Sequence, residues 1–215
     1  MGRNVVLSPV FDIDFFEGEA LNFSDVQAIL ITSANGVRAL CRRSHRFEVP
    51  VYCVGDSSAY AARQAGFETV VSANGDVSEL ANLVVSALRP EGGALLHPAA
   101  SKLAGDLGGI LAGKGFDYRR EILYEAKAKE CLKIDVLNQL NLNKINELSF
   151  FSPRSSKIFV RLLKHQKIEG KLEGCRAFCL SVAVAKHLDE IEGLEIIISD
   201  QPTRQSINAL IASFK

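Results

Sequence analysis

The chain lacks an excess of charge of either sign. Its 215 residues carry 25 basic and 25 acidic side chains, which argues against a nucleic-acid surface or a polybasic membrane contact. No apolar run approaches the roughly 20 residues that a membrane-spanning helix needs. The opening MGRNVVLSP has neither the apolar core of a secretory signal nor the Arg/Ser-rich character of a transit peptide. It also lacks the Ser or Thr that follows Met-Gly in a myristoylation site. The cysteines Cys41, Cys53, Cys131, Cys175 and Cys179 form no zinc spacing, since Cys175 and Cys179 have no second pair. An odd, unpatterned set reads as reduced and mostly buried thiols of a cytoplasmic protein. No GxGxxG follows a strand, and GxxxxGK(S/T), HExxH and GxSxG are absent, so the common cofactor, phosphate and triad signatures are missing. The histidines are scattered: His45, His165 and His187 sit in polar helix-end contexts. His97, beside Pro98, reads as a turn or surface residue, with a cleft-facing role as its alternative.

What is present is a repeated grammar of buried strand, polar turn and helix. Apolar residues make up 47% of the chain, enough for sizeable cores and too many for a disordered one. Residues 28–67 hold two such units in succession. Ala28–Thr32 is a strand, Ser33-Ala34-Asn35-Gly36 its turn, and a helix runs through about Arg43. Val51–Val54 is the next strand, Gly55-Asp56-Ser57-Ser58 the turn, and the helix reaches Ala65 with Gly66 as its stop. Neither strand alternates with polar residues, which marks strands covered on both faces.

The grammar returns near the other end. Leu148–Phe151, the turn Ser152-Pro153-Arg154-Ser155-Ser156 and a helix Lys157–Lys164 are followed by Arg176–Leu180, Ser181-Val182 and a helix Ala183–Leu188. Ser33 answers to Ser152 and Gly55 to Ser181, an internal duplication of an α/β unit. Between the copies the spacing predicts strands at Thr69–Ser72, Ala94–His97 and Arg119–Tyr124. It predicts helices over Glu79–Leu88, Leu103–Leu111 and Asp135–Leu142. In Arg119–Tyr124, Ile122 and Tyr124 fall on one face and Leu123 on the other. Gly193–Ser199 and Gln205–Phe214 close the chain as strand and helix. At the start, Asn4–Ser8 reads as a strand and residues 11–16 as an edge or linking strand. The second copy is preceded by a strand–turn–helix from Ala94 onward, whereas the first has no counterpart. The first βα unit of one lobe is therefore expected to be missing.

The chemistry these residues offer lies in the strand-end turns. Ser33, Ala34 and Asn35, then Gly55, Ser57 and Ser58, then Ser152, Pro153, Arg154 and Ser155, and finally Ser181, bring hydroxyls and free amides to helix starts. Helix N-termini favour anions, carboxylates included, and open α/β sheets bind ligands beyond the carboxyl ends of their strands. Taken singly, each turn reads as ordinary capping; the set is what points to a ligand with many negative groups. Arg154 and Lys157 add positive charge beside one turn. Tyr124, ending a strand between the copies, is either a wall residue or a phenol aimed at a cleft. A flavodoxin-like nucleotide or signalling module is the third reading, and it lacks a phosphate loop.

ILITSANGV at 29–37, VYCVGDSSAYAARQAGF at 51–67, AGDLGGILAGKGFDYRREILYEA at 104–126, FFSPRSS at 150–156, FCLSVAVAKHL at 178–188 and the closing ISDQPT stand in the order found in uroporphyrinogen-III synthases. The chain resembles that family over nearly its whole length. The resemblance implies two similar doubly wound parallel-sheet α/β lobes joined by a two-stranded linker, with the active site in the cleft. One lobe would comprise about 1–15 and 128–215, the inserted one about 18–122. The implied reaction is cyclisation of hydroxymethylbilane with inversion of ring D, by a monomer needing no cofactor or metal. The alternative is a non-catalytic or impaired two-lobed binder of a polycarboxylate or tetrapyrrole. Tyr124 would match the linker tyrosine that helps the hydroxyl leave, and Ser33, Ser58 and Ser152 the family's hydroxyl-bearing turns. The chain departs from the pattern in three ways. The opening strand with a Thr-Arg-Pro-like turn is missing, Ser181-Val182 replaces a glycine- and threonine-bearing turn, and Arg154 stands where a small residue is usual.

Overall fold

The apolar runs become strands and the amphipathic stretches helices in a computed structural model that describes residues 3–103 and 105–214. In chain order the first elements are β1 (Phe11–Phe15), β2 (Val26–Ile31), α1 (Ala34–Arg43), β3 (Val51–Cys53), α2 (Asp56–Gln64), β4 (Val70–Ser72) and α3 (Val77–Ala87). There follow β5 (Ala94–Ala100), α4 (Leu107–Ala112), β6 (Tyr118–Ala128), α5 (Ile134–Asn141), β7 (Glu147–Phe150) and α6 (Pro153–Gln166). β8 (Arg176–Cys179), α7 (Val182–Ala185), β9 (Glu195–Ile198) and α8 (Arg204–Ser213) complete the set. The result is a mixed α/β fold of parallel sheets and helices. It divides into two compact units: Ile13–Lys127, and the residues up to Asp12 together with Ala128 onward.

Ile13–Lys127 is built around β2. Its residues Ala28 to Ile31 have no solvent exposure, because helices cover both faces. Ile29 and Ile31 point to one side and pack with Val37 and Leu40 of α1 and Ala59 and Ala62 of α2. Ala28 and Leu30 point to the other and pack with Leu80 and Val84 of α3 and Leu107 and Leu111 of α4. The strand order is β1-β6-β5-β2-β3-β4, and the pairs from β6 through β4 are parallel. β1 lies beside β6. Phe16 N–H donates to the Leu123 carbonyl (2.8 Å) and Lys129 N–H to that of Val10 (3.0 Å), so the partners run in opposite directions. Ion pairs Lys127–Asp14 (2.6 Å) and Lys129–Asp12 (2.5 Å) flank this ladder; being exposed, each contributes about 0–1 kcal/mol.

The other unit has three parallel strands in the order β7-β8-β9. Leu162 and Leu163 of α6, Val184 of α7, Leu188 and Phe150 form one core, and Phe214 packs edge-on against Phe178 (5.3 Å between ring centres). Among the described residues β7 pairs with β8 alone. Asn146 and Phe150 give their carbonyls to β8, which turns the backbone groups of Glu147 and Ser149 toward an edge that bears no strand among the described residues. Here Asn4–Ser8 departs from expectation and forms no strand. Val5 and Leu7 stay 77% and 79% exposed, since a strand needs a neighbour and this sheet has no counterpart of β5 among the described residues. Arg3 tethers the segment through Glu147 (2.7 Å) and the Phe214 carbonyl.

Smaller departures have local causes. β5 does not end at His97 but continues through Pro98. Leu95 and Ser101 send their N–H groups to β6 (2.8 and 2.9 Å), so the donor Pro98 lacks would have faced β2, whose pairing with β5 ends at Leu96. α4 starts at Leu107 rather than Leu103, because Asp106 caps it by accepting from Gly109 N–H (2.9 Å). α6 starts at Pro153, earlier than expected, since proline suits the first helical position behind the Ser152 cap. α7 is a single turn, Val182–Ala185. Leu30, wholly buried in the sheet centre, should lose about 2–5 kcal/mol of stability on substitution to Ala. Urea unfolding followed by circular dichroism checks this, with exposed Val182→Ala staying within about 0.5 kcal/mol.

Candidate functional site

The polar turns predicted from sequence all lie where a strand hands over to a helix. Ser33 caps α1, its hydroxyl accepting from Asn35 N–H (3.2 Å). Asn35 in turn accepts from Arg38 (2.7 Å), and Ala34 opens the helix. Gly36 is required here: a Cβ at this position would stand 2.8 Å from the Pro98 carbonyl oxygen. Without a side chain the first turn of α1 can rest on β5. On the neighbouring strand end, Gly55 caps α2 with no side-chain bond, and Asp56 supplies an acid in the first turn. Ser57 is exposed, whereas Ser58 is buried.

Tyr124 is brought to Ser33. Its phenol lies near the Ser33 side chain, and its ring lies beside Phe15 (6.3 Å between ring centres). The predicted facing of β6 is wrong, because the register slips between Ile122 and Tyr124: Ala99 pairs with Ile122 but Ala100 with Tyr124. This bulge turns both Leu123 and Tyr124 inward against Ala39, leaving Ile122 outside. Burial raises the Tyr124 pKa, and the nearby Ser33 side chain opposes only part of that. The group is therefore a protonated hydrogen-bond donor at neutral pH.

His97, expected at a turn or surface, is 1% exposed inside Ile13–Lys127. Its Nε2 meets the Thr32 hydroxyl (3.1 Å) and its Nδ1 the Tyr118 hydroxyl (2.5 Å). The imidazole thus ties the residue before Ser33 to β6. Burial, with the Arg120 guanidinium nearby, holds its pKa down at about 4; burial likewise pushes Tyr118 up to about 12. Arg120 donates to the carbonyls of Ala100 and Ser101 (both 2.8 Å) and fixes the end of β5. Sequence reasoning passed over Thr32 and Tyr118 and placed His97 at a turn or surface, although one polar residue inside the apolar run ALLHPAA was the available signal for burial.

In the unit with β7–β9, Ser152 caps α6. Its hydroxyl accepts from Ser155 N–H (3.1 Å) and lies 2.7 Å from the Ser155 hydroxyl. Pro153 follows, and the Arg154 guanidinium stacks over Phe11 (4.5 Å). Ser156, also missed, donates to the Val184 carbonyl (2.8 Å) and pins α6 to α7. Ser181 precedes α7 without a side-chain cap bond. The predicted residues thus form two sets, one at the ends of β2 and β3 and one at the ends of β7 and β8. Tyr124 belongs to the first. Each set brings together hydroxyls and helix-start N–H groups, which favour anions in general.

A mixed α/β protein of parallel sheets and helices with polar strand-end turns is the class these features define. The family model described as uroporphyrinogen-III synthase HemD matches residues 1–209. The chain therefore belongs to the uroporphyrinogen-III synthase family, cyclising lyases of haem biosynthesis. No curated protein sequence matches it. Among solved structures, the fold is similar to uroporphyrinogen-III synthetase from Helicobacter pylori, with 19% identity, a TM-score of 0.67 and coverage of 96% of this chain and 91% of that one. It is also similar to a mutant uroporphyrinogen III synthase from the extremely thermophilic bacterium Thermus thermophilus, with 15% identity, a TM-score of 0.53 and coverage of 96% and 86%.

His97 makes stability depend on acid. Its folded pKa of about 4 lies below the ordinary 6.5, so the unfolded chain binds the proton more readily. Stability is full above pH 6.5 and falls by about 3 kcal/mol as the pH drops through 4. Urea unfolding of the wild type and of His97→Gln between pH 7 and 4 should show a shallower acid loss in the variant.

Proposed function

We propose that the strand-end turns receive the carboxylates of hydroxymethylbilane, and that Tyr124 assists departure of its terminal hydroxyl. On this reading Ser33, Ala34 and Asn35, with Gly55, Ser57 and Ser58, bind substrate in one unit. Ser152, Pro153, Arg154, Ser155 and Ser181 do so in the other. Loss of water from the hydroxymethyl carbon leaves an azafulvene. Ring D attacks it through its substituted carbon, and the spiro intermediate fragments and recloses as uroporphyrinogen III. The protein's part is chiefly to fold a flexible reactant so that the right carbon meets the cation, which is catalysis by proximity and orientation. The observation that carries this reading is the burial of the Tyr124 phenol against the start of α1, near Ser33, which sets a protonated group beside one of the carboxylate-accepting turns. We read the protein as a cytoplasmic monomer; no described helix is long and apolar enough to cross a membrane.

The second reading, a non-catalytic or impaired polycarboxylate binder, is favoured by the strandless edge of β7 and the exposed Val5 and Leu7. β2 is flanked by β5 and β3, and β7 stands as its copy with one neighbour absent among the described residues. That contrast supports the view that a βα unit is missing from this lobe.

Incubation with hydroxymethylbilane separates the two readings. A synthase yields the type III isomer, whereas type I product alone, the spontaneous outcome, leaves only the binder. In the synthase, Tyr124→Phe should lower kcat by about 10- to 100-fold with little change in KM; a variant with unaltered turnover removes Tyr124 from the reaction.

A further inference from the structure

The exposed face of α6 carries Arg154, Lys157, Arg161 and Lys164, spaced three, four and three apart and hence on one side of the helix. The chain as a whole is neutral, so this run is a local concentration of charge. Its placement also opposes the helix's own field. α6 has no acid in its first turn, and Arg154 and Lys157 stand near the N-terminus, where a cation is disfavoured. An anion bound there would relieve both. The four cations line one concave surface with Ile158, Val160 and Glu190. Glu190 neutralises only Lys164 (2.5 Å). Arg161 is held by the Lys129 carbonyl (2.8 Å) and Arg154 by the Phe11 ring (4.5 Å), so both guanidinium groups are kept in place. Lys157 has no ion-pair or hydrogen-bond partner among the described residues. The stripe spans about 15 Å along the helix and starts at the Ser152 turn, so it is continuous with the carboxylate-accepting set of this unit.

We propose that this cationic face is an outer binding surface for a small molecule bearing several carboxylate arms, capturing it by charge before the arms reach the Ser152 turn. The proposal rests on the substrate reading given above. Attraction between exposed charges is screened within about 10 Å at 0.1 M salt, and a focused patch of one sign speeds association. Such a surface therefore acts on capture and not on chemistry.

The test uses the full chain and uroporphyrin I, an unreactive octacarboxylate, with binding followed by fluorescence at 50 and 300 mM NaCl. Lys157→Glu combined with Arg161→Glu should weaken binding about tenfold at low salt and flatten its salt dependence. Lys157→Gln should give a smaller loss in the same direction, and Lys114→Glu, an exposed charge in the other unit, should match the wild type. With hydroxymethylbilane the double variant should lose kcat/KM and keep kcat. Binding unchanged by the double variant, or weakened no more than by Lys114→Glu, overturns the proposal whether or not the wild type makes type III product. Type I product from the wild type, together with α6-dependent binding, removes the synthase reading and leaves the surface standing.

Discussion

A parallel strand covered on both faces must pass the chain to a helix that runs back over the sheet. The first turn of that helix begins with N–H groups that have no partner within it. This unmet demand shapes every polar turn described here. At α3 it is met by carboxylates: Asp76 accepts from Ser78 and Glu79 N–H, and Glu79 reaches back to Asp76 in a capping box. That helix start is closed to an anion. At α1 and α6 a serine hydroxyl meets part of the demand, no acid intrudes, and the site retains its preference for negative charge. α2 lies between these cases, with an uncapped Gly55 but an acidic Asp56.

The same grammar is completed to different degrees in the two units. β2 has a neighbour on each side and helices over each face, and its buried residues have no exposure at all. β7 has one strand neighbour among the described residues, and residues 3–9 form no strand on its other edge. Exposed Val5 and Leu7 are the visible consequence. A local preference for extended structure is worth little without a partner to accept its hydrogen bonds.

Two residues carry information that pairing alone creates. The bulge in β6 puts Tyr124 on the same side as Leu123, and so delivers its phenol to Ser33. His97 sits in the middle of β5 because that strand outlasts its pairing with β2. Both effects come from register, the relation of one strand to another.

By itself the sequence determined the alternation of buried strand and helix, the capping serines Ser33 and Ser152, and the helix stop at Gly66, which has a positive φ. These are local matters, settled by apolar spacing, by the donors a helix start leaves free and by the backbone freedom of one glycine. The ordered motifs likewise carried the family. The tertiary structure decided which strands found partners, where β5 ended, which way Tyr124 faced and that His97 was buried with Thr32 and Tyr118. Each of these depends on hydrogen bonds and packing between residues far apart in the chain, and spacing along a single strand holds no record of them.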